Sequence, residues 1–138
     1  MNVINFEQFK NTEDYSKFIS SNQGLGSLKV QVFTAYGAFP ISDAEVVITK
    51  DFGDNRVVFF RGKTDSSGII DNINLPAPLG VDGSIEAPLY TLYDLTAVHI
   101  GYESFKQYSI GMFGGIKVIQ YIKMMPEIIL EGVVQDGN

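Results

Sequence analysis

The sequence contains no cysteine, and His99 is the single histidine among its 138 residues. Without thiols the chain can form no disulfide, thiolate nucleophile or thiolate metal site. One histidine cannot build a metal centre based on several histidines, and as a catalytic base it would need a nucleophile and an orienting acid supplied by folding. We therefore predict no metal, no cofactor and no catalytic residue.

Long apolar runs are also absent. No uninterrupted stretch approaches the ~18 apolar residues that span a bilayer, and residues 1–7 have neither the basic start nor the apolar run of a secretory signal. We predict no membrane span. The net charge is −6, and the ten lysines and arginines are scattered as single residues. Because a nucleic-acid backbone repels such a surface, we predict no nucleic-acid partner.

The composition favours one folded domain. Hydrophobic residues make up 45% of the chain and charged residues 19%, which supplies enough apolar surface for a core. We predict an N-terminal extension over residues 1–26, a β-sandwich over 27–126 and a C-terminal tail over 127–138.

Thr12, followed by Glu13 and Asp14, predicts a helix over residues 13–21. The aromatic residues of the extension could pack on the sandwich or on a partner, and we favour the sandwich.

From residue 27 onward the hydrophobic period changes to two, which is typical of half-buried antiparallel strands. Short strands recur without helices between them, separated by turns such as residues 64–68 and by a proline-containing loop that begins at Pro76. The segment Val57–Arg61 is apolar on both faces, so one face should meet an aromatic neighbour or a partner. The pattern predicts an all-β fold, a seven-stranded Greek-key β-sandwich with a short N-terminal helical or irregular extension.

Few residues suggest chemistry. His99 lies two residues after Ala97, on the alternate positions that face the core, which indicates a partly buried structural histidine. Asp51, Asp54 and Asn55 are spaced loosely like calcium ligands, but the loop lacks the distal bidentate acid, so we favour a plain hairpin turn. An alternative function is a glycan hydrolase that uses two carboxylates such as Asp94 and Glu103.

Three residues are candidates for binding a ligand. Gln120 shares parity with core residues such as Ile122, and a buried amide must find hydrogen-bond partners. It could bond the backbone of the proline-containing loop or contact a glycan or peptide. Tyr90 and Tyr93 could contribute to a sugar-stacking surface, or they could simply cap the core. The apolar strand Val57–Phe60 would also allow self-association if it formed a sheet edge.

Four segments resemble the carboxypeptidase regulatory-like, or transthyretin-like, domain family over about residues 26–126. They are Leu28-Lys29-Val30-Gln31-Val32, Pro40-Ile41-Ser42-Asp43-Ala44-Glu45-Val46, Thr64-Asp65-Ser66-Ser67-Gly68, and Tyr93-Asp94-Leu95 leading to Gly101-Tyr102. A narrower similarity is to modules of clostridial spore cortex-lytic and peptidoglycan-binding proteins. It rests on the Leu75-Pro76-Ala77-Pro78 loop, on the Tyr90 and Tyr93 pair, and on the segment from Ile110 through Gln120 to Pro126.

The resemblance implies a prealbumin-like sandwich that accompanies an enzyme or serves as a spacer. It would be a non-catalytic structural or interaction module of a bacterial cell-envelope or spore system, presenting loops and edge strands to a protein or peptidoglycan partner. Similar Cna protein B-type stalk domains link a first-strand lysine to a last-strand asparagine with help from an acid. Lys29 and Glu45 could supply two of these groups, but residues 116–125 contain no asparagine or aspartate, so we expect no such cross-link.

Overall fold

The computed structural model describes residues 1–34, 39–79, 89–103 and 107–127, which form a β-sandwich with a short helical segment near the N-terminus. The elements in chain order are β1 (Asn2–Asn5), α1 (Phe6–Phe9), α2 (Glu13–Ser21), β2 (Gly24–Thr34), β3 (Glu45–Phe52), β4 (Asn55–Lys63), β5 (Ile69–Ala77), β6 (Thr91–Val98), β7 (Gln107–Met112) and β8 (Lys117–Met124). The prediction of an all-β sandwich with an N-terminal helical extension is confirmed. Phe105, which marked the sixth predicted strand, lies outside the described residues.

Two sheets make up the sandwich. The larger has the strand order β1-β4-β3-β6-β7, and the smaller has the order β5-β2-β8. Most neighbours are antiparallel, but β1 runs parallel to β4, and β8 runs parallel to β2. The buried positions of β2 alternate as predicted, with Leu28, Val30 and Val32 each fully buried between the sheets. Within the described ranges, no helix has the length and apolarity needed to cross a membrane.

The sandwich has the predicted seven strands, β2–β8, and the described residues add an unpredicted eighth strand, β1, in the N-terminal extension. β1 is only four residues long and has two apolar residues, Val3 and Ile4, which is too short for an alternating pattern to stand out. It pairs with β4 in the register Ile4↔Val57. β1 covers residues 55–58 of β4, so Val57 and Val58 are already paired and are not a free edge for the predicted self-association.

Local capping explains the two helices. Thr12 accepts a hydrogen bond from the Tyr15 backbone N–H, and α2 covers the predicted residues 13–21. The unpredicted α1 begins after Asn5, whose side chain accepts from the Gln8 N–H at 2.8 Å while the Gln8 side chain accepts from the Asn5 N–H at 3.0 Å. This reciprocal capping box is visible in the sequence as Asn-x-x-Gln.

Aromatic side chains join the N-terminal segment to the larger sheet. We call this group the aromatic cluster; it consists of Phe6, Phe9, Tyr15, Phe18, Phe52, Phe59 and Tyr93. Ring centroids are 4.5 Å apart for Phe9 and Phe52, and 5.3 Å apart for Phe6 and Phe59. The aromatic residues of the extension therefore pack on the sandwich, as favoured from the sequence, and they supply the aromatic neighbour expected for β4.

One turn depends on glycine. Gly68 has φ of +74°, and a Cβ at this position would collide with the carbonyl oxygen of Val32. The carboxylate of Asp65 accepts hydrogen bonds from the backbone N–H groups of Ser67 and Ile69, at 2.8 and 2.9 Å. The predicted tight reversal over residues 64–68 is confirmed, and it places Ser66 and Ser67 beside the smaller sheet.

We expect Phe9→Ala to lower the free energy of unfolding by about 3–5 kcal/mol, because it removes a buried central ring of the aromatic cluster and leaves a cavity. Phe9 is 1% exposed, whereas Phe39 is 69% exposed, so Phe39→Ala is the matched control and should change stability by less than about 0.5 kcal/mol. Urea unfolding followed by circular dichroism measures both. Equal effects of the two substitutions would contradict the importance assigned to the cluster.

Candidate functional site

The two tyrosines predicted as one surface lie in different environments. Tyr93 is 1% exposed; its hydroxyl donates to the Pro76 carbonyl oxygen at 2.5 Å, and its ring packs edge-on against Phe59. A ligand could reach this ring only if the core opened, so Tyr93 does not fit the predicted ligand contact. Tyr90 is 55% exposed and remains available to a partner.

Tyr90 belongs to a larger apolar surface at one end of the sandwich. We call it the apolar end surface; its members are Leu25, Leu79, Leu89, Tyr90, Leu92, Phe113 and Ile116. Tyr90 and Phe113 have ring centroids 5.7 Å apart, and Leu92 lies opposite Gly111 in the β6–β7 pair. The exposed fractions of Leu25, Leu89 and Leu92 are 58%, 67% and 49%. Exposed apolar side chains gathered at one end of a domain are typical of an interaction site.

A glycine lets two chain segments meet at this end. A Cβ on Gly26 would come within 2.8 Å of the Phe113 carbonyl oxygen, so β2 and the segment after β7 approach closely only because residue 26 lacks a side chain. The Gly115 N–H donates to the Leu25 carbonyl oxygen at 2.8 Å, and the Ser27 N–H donates to the Ile116 carbonyl oxygen at 3.1 Å. These bonds hold Leu25 next to Ile116, although the two are far apart in sequence.

Gln120 lies on β8, an edge strand of the smaller sheet, opposite Val30. Its side-chain amide donates to the backbone carbonyl of Tyr121 at 3.0 Å, and the residue is half-buried. The expected face is correct, since Ile122 and Met124 on the same face are buried. In the part of the chain that the structure describes, the amide bonds its own strand, so the predicted pinning of the proline-containing loop is not seen.

The outer face of the smaller sheet contains a cleft of about 370 Å³, which we call the aromatic cleft. Its lining residues are Gln31, Phe33, Pro40, Ser66, Ser67 and Tyr121. The period-two pattern could have assigned these strand residues to the outward face. The parallel pairing of β2 with β8, which places Gln31 opposite Tyr121, has no local sequence signal.

A second, more open depression of about 710 Å³ lies at the far end of β6 and includes Asp43, Lys63, His99, Tyr102 and Glu127. His99 is half-buried, its Nδ1 is 2.7 Å from the Ile100 carbonyl oxygen, and its ring packs against Tyr102 at 5.5 Å. The predicted partly buried structural position is confirmed. Among the residues described, no group of three acids and histidines is arranged to hold a metal ion.

The two carboxylates of the hydrolase hypothesis lie in different surroundings. Asp94 is in the middle of the larger sheet, opposite Thr49 and Ser109, and its charge acts on Lys50 and Arg56. Glu103 follows the turn after β6, where its backbone N–H donates to the Met125 carbonyl oxygen. We find no arrangement of these two residues that resembles a glycosidase pair.

Charged residues of the β3–β4 hairpin pair with each other. Asp51 accepts from Arg56 at 2.8 Å, and this hydrogen bond chiefly lowers the pKa of the Asp51 carboxyl. Phe52 lies opposite Asn55, so a two-residue turn connects the strands, and the hairpin predicted for this segment is confirmed.

No sequence signal marks Lys50, which the structure places between the aromatic cluster and the apolar end surface. Burial chiefly lowers the pKa of Lys50, whose ammonium donates to the Leu92 carbonyl oxygen at 2.9 Å. The same ammonium lies 5.9 Å from the centroids of the Phe52 and Tyr93 rings. Lys50 therefore fixes the start of β6 beside the rings.

Comparison with known proteins supports the fold alone, through one solved structure. No protein-family model and no curated protein matches the chain. Among solved structures, the Bacillus anthracis TIE protein is similar, with a TM-score of 0.52 and 15% identity over 75% of this chain and 17% of that chain. GBS52, the minor pilin of the gram-positive pathogen Streptococcus agalactiae, gives a TM-score of 0.49 and 12% identity over 77% and 46%. This chain thus spans less than half of either protein, and the prealbumin-like family is not established.

We expect Tyr93→Phe to lower the free energy of unfolding by about 1 kcal/mol at pH 7, because the Pro76 carbonyl loses its donor. Burial raises the pKa of the Tyr93 hydroxyl above its ordinary value of 10.0. Above about pH 10 the unfolded tyrosine loses its proton while the folded one keeps it, so stability falls as pH rises. The wild-type protein should lose more stability between pH 9 and 11 (roughly the range of tyrosine titration) than Tyr93→Phe does. Parallel losses in chemical denaturation would contradict this.

We expect the intact mass to equal the sequence mass, without loss of one ammonia or one water. Lys29 lies on β2 of the smaller sheet, whereas Glu45 lies on β3 of the larger sheet and pairs with Arg61 at 3.1 Å. Within the described ranges the buried polar residues are Asn22, Thr64 and Thr91, with no lysine among them. Mass spectrometry of the denatured protein tests this, and either mass loss would contradict it.

Proposed function

We propose that this chain is a non-catalytic structural or interaction module of a bacterial cell-envelope or spore system. It presents the apolar end surface and its edge strands to a protein or peptidoglycan partner. The observation that carries the proposal is the apolar end surface itself, where several large apolar side chains are exposed at one end of the sandwich. Such a surface is costly to leave in water, and it has the composition of the central part of an interface.

The sequence resemblance supports the setting. The four segments that resemble carboxypeptidase regulatory-like domains, and the narrower similarity to spore cortex-lytic and peptidoglycan-binding proteins, suggest a module that accompanies other envelope components. The solved TIE protein contains a similar fold within a longer chain, of which this chain covers 17%. A domain of this kind contributes through contacts, and the surface described above provides them.

The chemistry of the surface favours a protein over a bare glycan as its occupant. Leu25, Leu92 and Ile116 are aliphatic and contribute no hydrogen-bonding groups from their side chains. A protein partner can bury such side chains against its own apolar residues. Tyr90, with one polar hydroxyl on a large ring, has the character of a residue that contributes strongly to binding.

The test is sedimentation of the chain with envelope fractions and with purified peptidoglycan of a spore-forming bacterium. We expect the double variant Leu25→Ser/Tyr90→Ser to lose about tenfold or more in binding, since two central contacts are removed. Ile100→Ser is the matched control, because Ile100 is 95% exposed but lies beyond the opposite end of β6.

The control variant should bind like the wild-type protein. The proposal is supported if the wild-type protein and the control bind the envelope fraction and the double variant does not. If the wild-type protein sediments with neither material, or if the double variant binds unchanged, the apolar end surface is not the contact site and the proposal is wrong.

A further inference from the structure

We infer that the outer face of the smaller sheet is a binding site for an anionic oligosaccharide, with one sugar ring in the aromatic cleft and its acidic groups at the flanking lysines. This inference goes beyond the proposed function and does not depend on it. The site is at the other end of β2 from the apolar end surface. Leu25 and Phe33 are eight residues apart on that strand, which corresponds to about 26 Å.

The cleft presents an accessible aromatic ring. Tyr121 is 56% exposed, and its ring meets Phe33 edge-on at a centroid distance of 6.4 Å, so Phe33 supports it from the side. Pro40, which pairs with Phe33, adds a third apolar surface. The C–H groups on one face of a sugar ring can pack on such a ring, whereas a flat sheet surface without a cleft would not hold it.

Neutral hydrogen-bonding groups surround the ring. Gln31 lies opposite Tyr121 and contributes an amide with both donors and an acceptor, while Ser66 and Ser67 contribute hydroxyl groups from the turn before β5. The Asp65 carboxylate bonds the backbone of this turn and so holds the two serines in place. Amides and hydroxyls are suited to sugar hydroxyls, which both donate and accept.

Lysines give this face a local positive charge on a protein whose net charge is −6. Its described outward strand positions include Lys29, Lys117 and Lys123 and the carboxylate of Asp71, while the Asp65 carboxylate lies on the turn beside the cleft. Lys117 pairs with Asp71 at 2.9 Å. That hydrogen bond is the main cause of the lowered pKa of the Asp71 carboxyl. The Asn72 backbone N–H and the charges of Lys117 and Lys29 lower this pKa further.

Two of the lysines remain available for a ligand. Within the described ranges neither Lys29 nor Lys123 forms an ion pair with a carboxylate. Lys123 is opposite Phe33, and Lys29 is two residues before Gln31, so the two ammonium groups lie on either side of the cleft along the strands. A chain of sugars with carboxylates on successive rings could contact the cleft and both lysines together. A neutral sugar would use the ring alone.

The experiment is titration of the full chain with tetragalacturonate, an oligosaccharide of uronic acids, followed by calorimetry and by NMR of the Gln31 side-chain amide. Maltotetraose serves as the neutral sugar and poly-L-glutamate as the acidic peptide. We expect Tyr121→Ala to weaken tetragalacturonate binding about tenfold, and Lys29→Gln/Lys123→Gln to weaken it about threefold to tenfold with a smaller dependence on salt.

Lys10→Gln/Lys17→Gln is the matched control, since it removes the same charge from the N-terminal helices and should bind as the wild-type protein does. Circular dichroism of Tyr121→Ala confirms that the exposed substitution leaves the fold intact. Binding of tetragalacturonate that is lost in both cleft variants supports the inference. The inference is wrong if tetragalacturonate does not bind, or if maltotetraose binds as tightly as tetragalacturonate. It is also wrong if poly-L-glutamate binds as tightly as tetragalacturonate and still binds the Tyr121→Ala variant.

Discussion

The packing of the N-terminal aromatic rings against β3, β4 and β6 is the interaction on which the rest of the structure depends. Phe9 and Phe18 contact Phe52 and Phe59, and Phe59 contacts Tyr93, so one group of rings joins the helices to the larger sheet. The same packing holds β1 beside β4 and covers what would otherwise be an exposed apolar edge. The contacts of Lys50 and of the Tyr93 hydroxyl then position the start of β6, from which the apolar end surface extends.

The two candidate surfaces occupy opposite ends of the sandwich, and strand register is the reason. β2 runs the full length of the smaller sheet, with Leu25 at one end and Phe33 near the other. β8 lies parallel to it, so Ile116 precedes the strand beside Leu25 while Tyr121 and Lys123 lie toward Phe33. The first end is aliphatic and suits a protein, whereas the second combines a ring, neutral polar groups and lysines. One small domain can therefore offer two contacts without competition between them.

Period-two patterning was sufficient to predict the all-β sandwich and the buried positions of β2, because alternate side chains of a strand point to opposite faces. The capping residue Thr12 marked the start of α2 in the same local way. β1 escaped prediction, since two apolar residues in a four-residue strand form no pattern and its pairing with β4 is long-range. Tyr93 shows a further limit. The sequence left open whether its ring stacks on a sugar or caps the core, and only the packing of Phe59 and the bond to Pro76 show that it is enclosed.

The sequence by itself determined the all-β class, the α2 helix, the turns at Gly68 and between β3 and β4, and the lack of thiol chemistry. These follow from residue type and from contacts a few positions apart. Only the tertiary structure decided that Leu25, Tyr90 and Phe113 lie at one end of the sandwich and that Gln31 and Tyr121 share a cleft. Each of these facts depends on which strands are neighbours and in what register. Interactions between segments that are distant in sequence determine which strands pair and in what register, and these interactions produce no periodic pattern in the sequence.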